Sequence, residues 1–65
     1  MKVLKISEVI KMLEADGWFV KRQKGSHRQF KHPSKKGTVT VNGKPSDDIY
    51  GTLLKSVSKQ SGIEF

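Results

Sequence analysis

What most constrains the fold is the order in which apolar spacing changes along the chain. In "ISEVIKMLEADGW" the apolar residues recur at helical intervals: Ile6, Ile10 and Leu13, with Val9 and Met12 alongside, form one stripe. Ser7 is the expected N-cap, Glu8 suits the positive first turn, and Gly17 suits the position just past the helix end. The period then drops to two. "WFVKRQK" and "HRQFKHP" read as arms of a hairpin turning at Lys24-Gly25-Ser26, "SKKG" at 34–37 is another turn, and "TVTV" at 38–41 is a β-branched strand. "NGKPSDD" at 42–48 reads as loop. From Gly51 or Thr52 helical spacing returns, with Leu53, Leu54 and Val57 on one side, Gly62 as the stop and Ile63 as the apolar contact beyond it. The order α-β-β-β-α predicts one α+β domain over residues 1–65. It is a two-layer sandwich: a three-stranded antiparallel sheet with both helices on one face.

Such a sandwich leaves one sheet face open, and strand parity says what occupies it. Val39 and Val41 must face the helices, which turns Thr38 and Thr40 outward. Phe30 facing in takes Arg28 and His32 with it, leaving His27, Gln29 and Lys31 outside. Val20 facing in leaves Phe19, Lys21 and Gln23 outside. The expected open face is therefore Lys21, His27, Lys31 and Thr38 around one aromatic, Phe19.

Charge singles out the same region. Lys and Arg number 13 against 6 Asp and Glu, a net charge of +7. Between residues 21 and 36 stand Lys21, Arg22, Lys24, Arg28, Lys31, Lys35, Lys36 and both histidines, with no acid among them. A merely solubilising surface mixes its signs. A one-sided basic surface points instead to a polyanion, nucleic acid before all others, or to an acidic protein. The 65 residues contain no cysteine, so disulfide frameworks, zinc fingers and redox motifs are excluded, and a thin core carries the stability. "MKVLKISEVI" is not a signal peptide, and no run approaches the ~20 apolar residues of a membrane span, so a cytoplasmic protein is expected.

Three chemistries can be weighed at His27. A shared metal site with His32 fails, because residues five apart in a strand point to opposite faces; no metal or cofactor is expected. A serine nucleophile fails too, since Ser26 is adjacent to His27 in a strand and no carboxylate is at hand to orient the imidazole. Phosphodiester chemistry fits. A neutral imidazole can take the proton of an RNA 2′-hydroxyl, which then attacks the adjacent phosphorus while cations stabilise the developing charge. The Gly25-Ser26 turn offers backbone N–H groups to phosphate, and Lys21, Lys24, Arg28 and Lys31 are candidate backbone contacts. No general acid is evident. Trp18 reads as core, His32 as structural, and Phe19 as the better candidate for stacking a base.

The residues "GW…R…KGSHRQFKHP…KGTVTV…GTLLKSVSKQSGI", spanning roughly 6 to 63, resemble the HicA family of toxins, the RNA-cleaving halves of HicA–HicB toxin–antitoxin pairs. The resemblance rests on Gly25-Ser26-His27 before Phe30, on His32-Pro33, and on Gly51-Thr52-Leu53 with Lys59-Gln60 and Gly62-Ile63. It implies a fold similar to double-stranded-RNA-binding domains and a type II toxin that cleaves mRNA without the ribosome, arresting translation; the phosphodiester chemistry read from the residues needs no metal. The family's catalytic histidine maps onto His27. The implied partner is a HicB-like antitoxin that covers the active surface, with DNA bound only indirectly, through the antitoxin. After the "TVTV" strand the family commonly carries a proline and then a second histidine; here Asn42-Gly43-Lys44-Pro45 puts a lysine in that region. Two other readings stay open: a non-catalytic RNA-binding module of the same fold, and a small protein whose charge serves only to bind an acidic partner.

Overall fold

The computed structural model describes residues 2–65. Its elements are β1 (Val3–Lys5), α1 (Ile6–Ala15), β2 (Phe19–Lys24), β3 (His27–Lys31), β4 (Val39–Val41), β5 (Asp48–Tyr50) and α2 (Gly51–Ser61). Strands β2, β3 and β4 form the expected antiparallel meander. The apolar stripes of both helices meet its inner face in one core: Ile6, Val9, Leu13 and Trp18 with Phe30, Val39, Val41, Ile49, Leu54 and Val57.

One feature departs from the expected order. Strands β1 and β5 pair antiparallel as a separate two-stranded sheet, with Leu4 opposite Ile49 and Lys5 opposite Asp48. The stretch expected to be loop to residue 48 therefore ends in a strand. The pairing is carried by buried Ile49, by half-buried Leu4 against the core and by the Lys5–Asp48 ion pair, 2.6 Å across. Strands of three residues are too short for their alternation to stand out in a sequence.

Helix α1 also begins differently. Lys5 is the N-cap, with its backbone N–H donating to Glu8 Oε1 at 3.0 Å. Ser7 does not cap, because the first-turn donors already have partners: Ile6 N–H donates to the Asp47 carbonyl at 2.9 Å and Ser7 N–H to that of Pro45 at 3.1 Å. The 45–47 loop thus serves as the cap. The other end follows expectation. Gly17, at φ +103°, donates to the Glu14 carbonyl and Trp18 N–H reaches that of Leu13, the paired reversal that closes a helix on a left-handed residue.

Two apolar residues assigned to stripes face solvent: Leu53 is 70% exposed and Met12 lies at the margin. On α2 the buried row is Leu54, Val57 and Ser61, which leaves Leu53, one residue from Leu54, on the flank.

Candidate functional site

The site is organised by the β2–β3 hairpin. Lys24 pairs with His27, so the loop is the two residues Gly25 and Ser26. Gly25 has φ +58° and Ser26 a negative φ, the sign pattern of a type II′ turn with glycine first, which matches the twist of the flanking strands. Side chains hold the turn carbonyls from the inner side: Gln23 Nε2 donates to the Gly25 carbonyl at 3.0 Å and Arg28 Nη1 to that of Ser26 at 3.3 Å. The same Arg28 nitrogen donates to the Gly43 carbonyl at 2.8 Å. Arg28 therefore fastens the turn beside His27 to the 43–47 loop. That loop is in turn fixed by Lys44 N–H to Asp47 Oδ2, 2.9 Å, and by its bonds to the start of α1.

The register explains which cations reach the open face. Near the turn, Lys24 pairs with His27, Gln23 with Arg28 and Arg22 with Gln29; farther away, Val20 pairs with Phe30 and Phe19 with Lys31. One residue, Lys21, is left over as a β-bulge. Because paired residues share a face, the open face carries three rungs: Lys24 with His27, Arg22 with Gln29, and Phe19 with Lys31. This corrects the face expected from unbroken alternation. Lys21 sits at the bulge, Gln23 turns inward beside Arg28, and Arg22 takes the place assigned to Lys21. Thr38 lies just before β4, and the threonine opposite Gln29 in the sheet is Thr40.

Arg22, Lys24, His27 and Gln29 together line a shallow cleft of about 260 Å3. His27, Lys24, Gly25, Ser26 and Lys31 are all exposed. Half-buried Arg28 is directed to the other side with its guanidinium bonded to two carbonyls, which separates it from the cations of the cleft. Arg22, which the alternation had hidden, was recoverable. If Lys24 faces His27 across a two-residue turn, regular pairing sets Val20 opposite Lys31; Val20 can meet inward-facing Phe30 only if β2 holds one extra residue.

His32 is on a different assignment. Its Nδ1 accepts the backbone N–H groups of Ser34 and Lys35, both at 3.1 Å, so Nε2 carries the proton and donates to the Asp16 carbonyl at 2.6 Å. The ring lies edge-on to Trp18, centroids 5.1 Å apart. Lys35 adds an ion pair to Asp16, whose carboxyl that ammonium holds below the usual carboxylate range. Both nitrogens of His32 are thus spent on joining the 32–35 turn to the end of α1. Among the described residues no group of three or more His, Asp or Glu could hold a metal ion, and no helix is long and apolar enough to cross a membrane.

Comparison with curated proteins gives no match. The model of the family described as the HicA toxin of bacterial toxin–antitoxin systems matches residues 6–63, from the first residue of α1 to the apolar residue that follows the end of α2. The chain belongs to the HicA toxin family, and as such it is the toxin member of a toxin–antitoxin pair with a cognate antitoxin as its partner.

Proposed function

We propose that this toxin is a metal-independent endoribonuclease that cleaves mRNA, with His27 as its general base. The observation that carries the reading is the rung pairing exposed His27 with Lys24, next to Arg22 and Gln29 in one cleft. An imidazole is the side chain suited to accept a proton near neutral pH. In the reaction His27 removes the proton of an RNA 2′-hydroxyl, and that oxygen attacks the neighbouring phosphorus. The bond to the 5′-oxygen of the next nucleotide breaks, leaving a 2′,3′-cyclic phosphate and a 5′-hydroxyl that takes up a proton from solvent or a lysine. Lys24 and Arg22 stabilise the charge that gathers on the phosphoryl oxygens, and the Gly25-Ser26 turn approaches the phosphate with its backbone. Lys31 extends the basic track for the RNA backbone.

The same reading takes the architecture as kin to double-stranded-RNA-binding domains and the cytoplasm as the place of action. It also has a HicB-like antitoxin covering this face, with any DNA bound through the antitoxin alone. A substrate with one 2′-deoxy nucleotide at a mapped cleavage position tests the chemistry. Cleavage there should vanish while binding persists, and products from all-ribose RNA should carry cyclic phosphates. Cleavage that continues at the deoxy position, or 3′-hydroxyl products, would remove the 2′-hydroxyl mechanism. A second reading, an RNA-binding module without cleavage, is favoured by one observation: the cleft holds no carboxylate and no second imidazole to act as acid.

A further inference from the structure

Phe19 is an aromatic that neither the core nor the cleft accounts for. It is 48% exposed, it lies on the same open face as His27, and Lys31 stands directly across the ladder from it. Of the other exposed apolar side chains, Val3, Tyr50 and Leu53 belong to the second sheet and to α2, Met12 to α1, and Val20, also on β2, pairs with Phe30 on the opposite face of the sheet. The bulge at Lys21 is what allows one face of β2 to present Phe19, Arg22 and Lys24 together.

We propose that Phe19, with Lys31 opposite, is a base-stacking subsite for single-stranded RNA. It takes the base of a nucleotide near the one whose phosphate meets His27. The inference rests on the ribonuclease reading and adds a footprint to it. His27 and Lys31 are four residues apart on β3, so at ~3.4 Å per residue the Phe19 rung lies about 14 Å from the His27 rung. That is farther than a single nucleotide reaches from its own phosphate, so the stacked base belongs to a neighbour. The Arg22–Gln29 rung, at the edge of the cleft, falls midway, so the backbone passes from His27 to Phe19 over a basic surface. An A-form duplex keeps its bases stacked on one another and shows a protein its backbone and groove edges, so a flat aromatic set among cations has a use only for an unstacked base. No acid interrupts the three rungs, which suits a chain of phosphates along their whole length.

The test measures binding of a short, uncleavable 2′-O-methyl RNA, single-stranded and annealed to its complement, by wild type, Phe19→Ala, Phe19→Leu and Phe19→Trp. Because Phe19 is half exposed, melting temperatures of all four should agree closely. Loss of one stacking contact should weaken single-strand binding by about 5- to 100-fold in Phe19→Ala. Phe19→Leu should be similarly weakened, Phe19→Trp should bind like wild type, and duplex binding should be the same in all. In a series of RNAs with single abasic sites, one position should weaken wild type and leave Phe19→Ala unaffected. Undiminished single-strand binding by Phe19→Ala, or full recovery in Phe19→Leu, would overturn the subsite while leaving cleavage at His27 standing. So would a loss confined to antitoxin binding, which would make Phe19 a protein contact. If wild type binds neither RNA form, the ribonuclease reading falls and the subsite with it.

Discussion

Replacing Gly17 by alanine should come near to unfolding this domain, and the size of the effect can be built from two separate terms. At φ +103° an L-residue is strained, by about 1–3 kcal/mol for such backbone positions. The added Cβ would also lie 2.8 Å from His32 Nε2, the atom that donates to the Asp16 carbonyl. Displacing the ring forfeits that bond, a further ~0.5–1.5 kcal/mol, together with its edge contact to Trp18. The sum, about 1.5–4.5 kcal/mol, is comparable to the ~3–5 kcal/mol a core of this size supplies. At roughly 4–8 °C per kcal/mol the melting temperature should fall by roughly 6–36 °C. Gly25 provides the control: its φ is also positive, +58°, but a Cβ there meets nothing within 4 Å, so Gly25→Ala should lose about 1–2 kcal/mol from strain alone. Circular-dichroism melts of Gly17→Ala, Gly25→Ala, His32→Ala and the Gly17→Ala/His32→Ala pair decide the matter. The paired variant should lose less than the sum of its singles, because the clash disappears with the ring. Equal losses for the two glycines, or strict additivity in the pair, would refute the reasoning.

Other consequences follow from the register and the pairings. Arg22→Gln and Lys24→Gln should each flatten the salt dependence of RNA binding by about 0.7 in log–log slope, whereas Arg28→Gln should leave it nearly unchanged; titrations across salt concentration separate the three. Deleting Lys21 removes the extra residue and keeps Phe19, Arg22 and Lys24 on one face, so the variant should fold and retain its RNA affinity, as melts and binding will show. Arg28→Lys should lower the cleavage rate more than the affinity for RNA, with single-turnover kinetics as the measure, because one ammonium does not reproduce the guanidinium that joins the Ser26 and Gly43 carbonyls. Asp16, its carboxyl depressed by Lys35, stabilises the fold above its unfolded value near pH 4, and this is lost as pH falls through the lower folded value. Asp16→Asn should therefore show a shallower loss of stability on acidification than wild type, in melts taken across that range.

How much of this was written legibly in the sequence depended on length of pattern. Ile6, Val9 and Leu13 declare a helix because they repeat over about two turns, and Phe30 between His27 and Lys31 declares a strand with one buried face. Val3–Lys5 and Asp48–Tyr50 declare nothing alone, since three residues fit any period; only their meeting makes a sheet. The N-terminus of α1 is illegible for a related reason, as its donors are satisfied by carbonyls of Pro45 and Asp47, some forty residues away. At the site, His27 and its outward direction were readable from parity with Phe30. The bulge at Lys21 shows only when two requirements are set together, Lys24 facing His27 across a two-residue turn and Val20 meeting Phe30, which regular alternation along β2 cannot satisfy at once. That extra residue puts Arg22 opposite Gln29 on the open face, where unbroken alternation expects Lys21. Arg28, whose charge suggests a phosphate contact, shares the inward parity of Phe30, and there its guanidinium bonds two carbonyls.

The central claim is that His27 does chemistry on RNA that the surrounding cations merely hold. The most direct measurement compares wild type with His27→Ala on mixed-sequence RNA in the presence of EDTA, following cleavage and binding together. The account predicts cleavage by wild type alone, with the substituted protein binding RNA about as well. Cleavage that persists in His27→Ala, or equal binding with no cleavage by either protein, would contradict it.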